Sequence, residues 1–132
     1  MAKMMFDTNM ILRYLLNDNS TMYEKSKVLL KQGNVWVTLE VIAEVVYVLG
    51  KVYSLGRQTV SDKVKAFAEL VKCKENDVLN LAIDTYATQN LDFVDCVLYA
   101  YNKVEGFEIA TFDKKLLRLL NGGKVSDDEQ TR

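Results

Sequence analysis

The chain contains no histidine. That absence excludes histidine-ligated zinc proteases, imidazole acid–base work and the Ser-His-Asp triad together. Cysteine is scarce: Cys73 and Cys96 are the two present, both in helix-like surroundings, and they suggest neither a disulfide framework nor zinc spacing. Proline is absent and glycine is limited to six residues. Net charge is only −1, so no global basic field recruits nucleic acid, and such a partner would have to be met by local patches. No apolar run approaches the roughly 18 residues of a membrane span. The apolar start meets Asp7 at once and does not read as a secretory leader. A cytoplasmic protein without a membrane partner is the expectation.

What remains is an ordinary globular composition, 49% hydrophobic and 27% charged over 132 residues. A chain of that length fits one domain and can bury roughly two-thirds of its unfolded surface without a covalent staple. No internal repeat, linker or low-complexity segment interrupts residues 1–132, although residues 121–132 read as a flexible polar tail.

Lys3 to Phe6 is nearly all apolar, as suits a strand covered on both faces. Met10 to Leu16 predicts a short helix ending at an Asn-Asp-Asn turn. Thr21-Met22-Tyr23-Glu24 has capping-box spacing before a helix that stops at Gly33. Val35 to Val37 reads as a second strand, and Thr38 as the cap of a helix with Ile42, Val45, Val46 and Leu49 on a broad apolar face. Gly50 to Gly56 lets the chain turn, and Thr59 to Asp62 is another capping-box pattern. Val78-Leu79 predicts a minimal third strand, with helices over Leu81–Thr88 and from Asp92 to about Glu105. Gly106 to Thr111 predicts strand four, Asp113 opens a last helix to Leu120, and Lys124-Val125 offers an edge strand. Strands separated by helices imply right-handed parallel crossovers, hence an α/β, three-layer helix–sheet–helix sandwich.

Asp7, Glu44, Asp95 and Asp113 carry the candidate chemistry. Asp7 ends strand one, the place where open α/β sheets put their ligands. Each acid also has a plain structural role open to it. Asp7 lies in Asp-Thr-Asn, a natural capping run, and Asp113 suits the start of the last helix, with Thr111 a competing cap. Asp95 stands three residues after Asp92 in a capping-box relation, and Glu44 falls on the polar stripe Glu40, Glu44, Tyr47, Lys51. Strands one and four are expected to be neighbours, each ending in an acid. Carboxylates converging there would repel and drive one of them to bind a proton, which a divalent cation relieves. Ligation by oxygen alone points to Mg²⁺ or Mn²⁺ rather than zinc. Such an ion polarises a phosphoryl oxygen and acidifies water, the requirements for cutting a phosphodiester.

At these residues the chain resembles the PIN-domain nucleases, and within them the VapC-type ribonuclease toxins of type II toxin–antitoxin pairs. The likeness opens with Phe-Asp-Thr-Asn at 6–9 and continues through Val-Thr-Leu-Glu-Val-Ile-Ala-Glu-Val-Val-Tyr-Val-Leu at 37–49. Asp-Phe-Val-Asp-Cys-Val-Leu-Tyr-Ala at 92–100 is similar to the family's second Asp motif, and Ile-Ala-Thr-Phe-Asp-Lys-Lys-Leu at 109–116 to its closing Thr-x-Asp motif. The resemblance implies metal-binding roles for Asp7, Glu44, Asp95 and Asp113, with Asn9 and Thr111 orienting carboxylates or water. It implies a parallel sheet of four or five strands with strand one central. It also implies an Mg²⁺- or Mn²⁺-dependent endoribonuclease, usually a homodimer, silenced by a small antitoxin in its active-site groove.

Arg13, Lys114, Lys115 and Arg118 flank two of the motif acids and are the candidate contacts to an RNA backbone, against the alternative of solvated helix faces. Tyr14, Tyr99 and Tyr101 are candidates to stack bases, against core packing at helical spacing. Two other functions are compatible with clustered acids. One is a non-catalytic interaction protein of the same fold, whose acids cap helices and receive a basic partner. The other is a receiver-like phosphoacceptor, which would want paired acids after strand one and a lysine at the last strand's end. This chain places the single Asp7 and Asp113 there.

Overall fold

The computed structural model describes residues 2–126. The chain begins with β1 (Met4–Met5), α1 (Thr8–Leu16), α2 (Ser20–Gln32), β2 (Val35–Trp36) and α3 (Leu39–Tyr47). A π-helical turn, Val48–Val52, follows, and then α4 (Arg57–Ala68), α5 (Asn76–Thr88), α6 (Phe93–Glu105) and α7 (Lys114–Leu120).

Local chemistry sets most of these boundaries. Asp7 accepts from Met10 N at 2.9 Å and caps α1, which ends at Asn17 with a left-handed φ of 49°. Asn19, not Thr21, caps α2 by accepting from Met22 N at 3.0 Å. Thr38 caps α3, accepting from Val41 N at 3.2 Å. The helix then runs on past Tyr47 instead of stopping near Gly50: Tyr53 N donates to Val48 O at 3.1 Å, an i to i+5 bond that inserts one residue into the turn. Helix α4 starts at Arg57 behind Gly56, two residues before the expected Thr59 cap, with no side-chain cap of its own.

β1 and β2 pair in parallel, Met4 opposite Val35 and Met5 opposite Trp36. A further parallel bridge joins Trp36 to Lys72, where Lys72 N donates to Val35 O at 2.8 Å and Val37 N to Lys72 O at 2.9 Å. β2 therefore lies between β1 and the Lys72 segment, so strand one sits at the edge among the described residues rather than at the centre. The sheet there has two strands where four or five are expected. Val78-Leu79 is helical, buried inside α5. The 106–111 segment forms no strand. β1 is not covered on both faces either, since Met5 is 64% exposed.

The core is mostly helix against helix. Helix α5 packs against both α4 and α6, α1 against α2, and α3 touches both α1 and α6. Two buried hydroxyls join neighbouring helices: Ser61 donates to Ile83 O at 3.1 Å, and Ser26 to Met10 O at 3.2 Å. Arg57 ties the start of α4 to the turn before α6. Its Nη1 donates to Tyr86 O at 3.1 Å and Leu91 O at 2.9 Å, with the guanidinium 4.4 Å from the Tyr86 ring centre. The start of the tail is held: Val125 is 1% exposed, its carbonyl accepts from Asn90 N at 2.8 Å and its N–H donates to Gln89 at 2.7 Å. Residues 127–132 of the tail lie outside the described residues.

Candidate active site

Phe6 is buried and Asp7 exposed, so the chain leaves the core at the residue that carries the first acid. The cap engages Asp7 Oδ1. The next residue, Thr8, donates its hydroxyl to the Glu44 carboxylate, a sequence separation of 36. This contact joins the first turn of α1 to the middle of α3. Glu44 itself is exposed, because Ile42, Val45 and Val46 occupy the buried side of α3. The apolar character of that helix thus lies on one side and leaves the acid in solvent. Asn9 is exposed on the same first turn as Thr8.

The other two acids lie later in the sequence, at the starts of α6 and α7. Asp95 is half-buried in the first turn of α6. Burial pushes its carboxyl above the ordinary aspartate range, and the nearby charges of Asp113 and Asp92 push it further. Asp113 Oδ1 accepts from Leu116 N at 2.9 Å and caps α7, while Thr111 Oγ1 accepts from Asp113 N at 3.0 Å and fixes the turn into that helix. Two residues whose spacing also suits helix capping act on the candidate acids: Thr8 bonds Glu44, and the charge of Asp92 acts on Asp95. The i, i+3 spacing of Asp92 and Asp95 was the available signal for one, and the hydroxyl inside Asp-Thr-Asn for the other.

The structure joins Glu44 to the Asp7–Thr8 turn through the Thr8 hydroxyl and sets Asp95 within electrostatic reach of Asp113 and Asp92. Helix α3 touches both α1 and α6 and so links the elements bearing them. Among the described residues, no three acidic or cysteine side chains are gathered closely enough to hold a metal ion. In chemistry the donors suit a hard cation: all are carboxylates, and Asp95 already bears the cost of neighbouring negative charge. In spacing they are open rather than closed.

The candidate RNA contacts divide. Arg13 shares one nitrogen, Nη1, between the two Asp18 carboxylate oxygens at 2.8 and 2.7 Å, so it already has a charged partner. Lys114 and Arg118 are exposed on α7 and Lys115 is half-buried. Tyr14 stacks on Tyr23 with ring centres 5.4 Å apart, and Tyr101 meets Phe107 edge-on at 5.7 Å. Lys103 lies over Tyr99 at 5.7 Å. All three tyrosines expected to stack bases thus engage the protein itself.

Asp95 gives a stability prediction with a definite sign. An acid whose folded value is raised holds its proton in the folded state at pH values where the unfolded chain has released it. Stability therefore falls as pH rises from the ordinary aspartate value through the raised one, and stays lower above it. Asp95→Asn is expected to raise the urea midpoint at neutral pH, with the gain shrinking in acid below the ordinary aspartate range. Equal midpoints for the two proteins at neutral pH would show that the carboxylate carries no net penalty.

Residues 4–120 match the family described as PIN domain. No curated protein matches significantly, and no solved structure does.

Proposed function

Because the chain belongs to the PIN domain family, whose members are generally metal-dependent nucleases, we propose that it is an Mg²⁺- or Mn²⁺-dependent endoribonuclease. The observation that supports this reading is the state of Asp95 at the start of α6, whose carboxyl is raised first by burial and then by the nearby charges of Asp113 and Asp92. With Glu44 held against the start of α1 on a helix that also touches α6, acids from four separate motifs lie on connected elements. Asp7, Glu44, Asp95 and Asp113 would hold the ion, while Thr8, Asn9 and Thr111 orient carboxylates or water around it. When bound, a hard divalent cation supplies charge neutralisation at the phosphate and water acidified for attack. Lys114 and Lys115 in the first turn of α7 and Arg118 in its last turn would meet the RNA phosphates in this reading. Arg13, engaged by Asp18, takes a lesser part in this reading.

Water attacking phosphorus in line needs no help from the 2′-hydroxyl, so the products carry a 5′-phosphate. The biological role that fits is the toxin of a toxin–antitoxin pair, working in the cytoplasm as a homodimer and silenced by a small antitoxin. Purified protein, free of any partner, is expected to cut single-stranded RNA as Mn²⁺ is added and to stop when a chelator is added. Products ending in a 2′,3′-cyclic phosphate, or cleavage indifferent to the chelator, would overturn it.

A non-catalytic PIN-fold interaction protein is the alternative. The cap bonds of Asp7 and Asp113 and the open spacing of the acids favour it. It predicts no chelator-sensitive cleavage at any Mn²⁺ concentration.

A further inference from the structure

A cavity of about 610 Å³ lies between elements that also carry candidate acids, and neither the acid motifs nor the flanking cations account for it. It opens between α3 with its π-helical turn, the start of α4, the end of α5 and the start of α6. Ala43, Tyr47 and Lys51 line one side, and Arg57, Tyr86 and Asn90 another, with Asp92 and Val94 at the α6 end. Val94 immediately precedes Asp95 in the first turn of α6. Tyr47 lies one helical turn beyond Glu44 on the same stripe of α3. None of the four candidate acids lines the cavity, but its lining shares α3 with Glu44 and the first turn of α6 with Asp95.

Its chemistry is specific. Two cations, Lys51 and Arg57, line it against one carboxylate, Asp92, so its potential favours an anion. Arg57 gives its N–H groups to the carbonyls of Tyr86 and Leu91 and to Asn90 Oδ1, the last at 3.4 Å, and so acts as a fixed positive wall. That contact holds the Asn90 amide by its oxygen. Its Nδ2 is buried and has no hydrogen-bond partner. A buried donor left without an acceptor carries a desolvation cost that an incoming oxygen or ring nitrogen would remove. Tyr47 is 63% exposed, an aromatic ring with one helix face behind it and solvent in front. Gly50, in the π-helical turn, leaves room for the Tyr86 hydroxyl, which would lie only 3.3 Å from an added Cβ.

An aromatic face, an unsatisfied amide donor and an uncompensated cation are the three things a single nucleotide asks for, and the volume suits one. We propose that this cavity is an RNA nucleotide subsite in which Tyr47 stacks a base, Asn90 donates to its edge and Lys51 meets its phosphate. The assignment rests on the ribonuclease reading and gives it a source of sequence preference: the base held here is a neighbour of the scissile bond.

The test maps cleavage of a random-sequence RNA pool with Mn²⁺ for the unaltered protein and for Tyr47→Ala, Lys51→Gln and Asn90→Ala. Tyr47 and Lys51 are exposed, so their variants should fold even if Asn90→Ala does not. Loss of a stacked base should slow cutting at preferred sites about tenfold and flatten the base preference at one position beside the cut. Lys51→Gln should lower the salt dependence of RNA binding by about one charge. An unchanged cleavage map and salt slope, with chelator-sensitive cutting intact, would overturn the subsite while leaving the ribonuclease standing. Should the unaltered protein not cut at all, anisotropy of a labelled single-stranded RNA in chelator still decides. Weaker binding by Tyr47→Ala and Lys51→Gln supports the subsite, and equal binding by all overturns it.

Discussion

Replacing Asp7 with asparagine is expected to cut Mn²⁺-dependent RNA cleavage by about a hundredfold or more, with little change in stability. The substitution separates the two jobs open to this residue. As a cap, Asp7 uses Oδ1 to accept from Met10 N at 2.9 Å. Asparagine offers the same oxygen and ranks with aspartate at that position, so the bond survives. What is lost is the negative charge at the helix start, worth about 0.3–1 kcal/mol against the helix dipole. Cleavage would fall for another reason, because a neutral amide is a far poorer partner than a carboxylate for a hard divalent cation. Initial rates across a Mn²⁺ titration, set beside urea midpoints, measure both effects. Full activity in Asp7→Asn would reduce the residue to a cap and favour the interaction-protein alternative.

The acids were legible because their chemistry is local: a carboxylate at a strand end or helix start announces itself in a few residues. Their gathering was less so. Nothing local in the sequence signals that Thr8 reaches Glu44, a contact made by the crossing of α1 and α3. The strands show the same division. Val78-Leu79 looks like a strand as a pair, but Ala82 and Ile83 continue the buried face at helical spacing and α5 absorbs all four. Gly106 to Thr111 carries the residue types of a strand without forming one. Residue type favours an extended chain, but pairing needs a partner edge, and that is settled by tertiary packing. The third contact of the sheet comes from Lys72, a charged residue just after α4 that no hydrophobic pattern marks. The cap of α2 falls at Asn19, two residues before Thr21, in a run where Asn19, Ser20 and Thr21 are all competent.

The largest effect on stability is expected at Phe67, whose side chain joins the element carrying Asp7 to the helical core. Phe67 is 1% exposed on α4, its ring centre 6.4 Å from that of Phe6 and 6.0 Å from that of Tyr14. Phe6 immediately precedes Asp7, and Tyr14 lies on the helix that Asp7 caps. One side chain thus seats three pieces: α4, the end of β1 and α1. Phe67→Ala removes the ring and leaves a void that helices on several sides cannot all close, at a cost of about 3–5 kcal/mol. That is a large share of the roughly 5–15 kcal/mol typical of a domain. Phe67→Leu keeps most of the apolar volume and should cost less than about 1.5–2 kcal/mol. Trp36, the single tryptophan, lies in β2 and reports unfolding by fluorescence. A loss under about 1 kcal/mol in Phe67→Ala would show that Phe6 and Tyr14 are seated without this ring. The expected pattern is opposite to that of Asp7→Asn: here cleavage declines in step with the folded fraction and returns when the protein is refolded at lower temperature. The activity lost would be the activity of unfolded molecules, with the chemistry of those still folded unchanged.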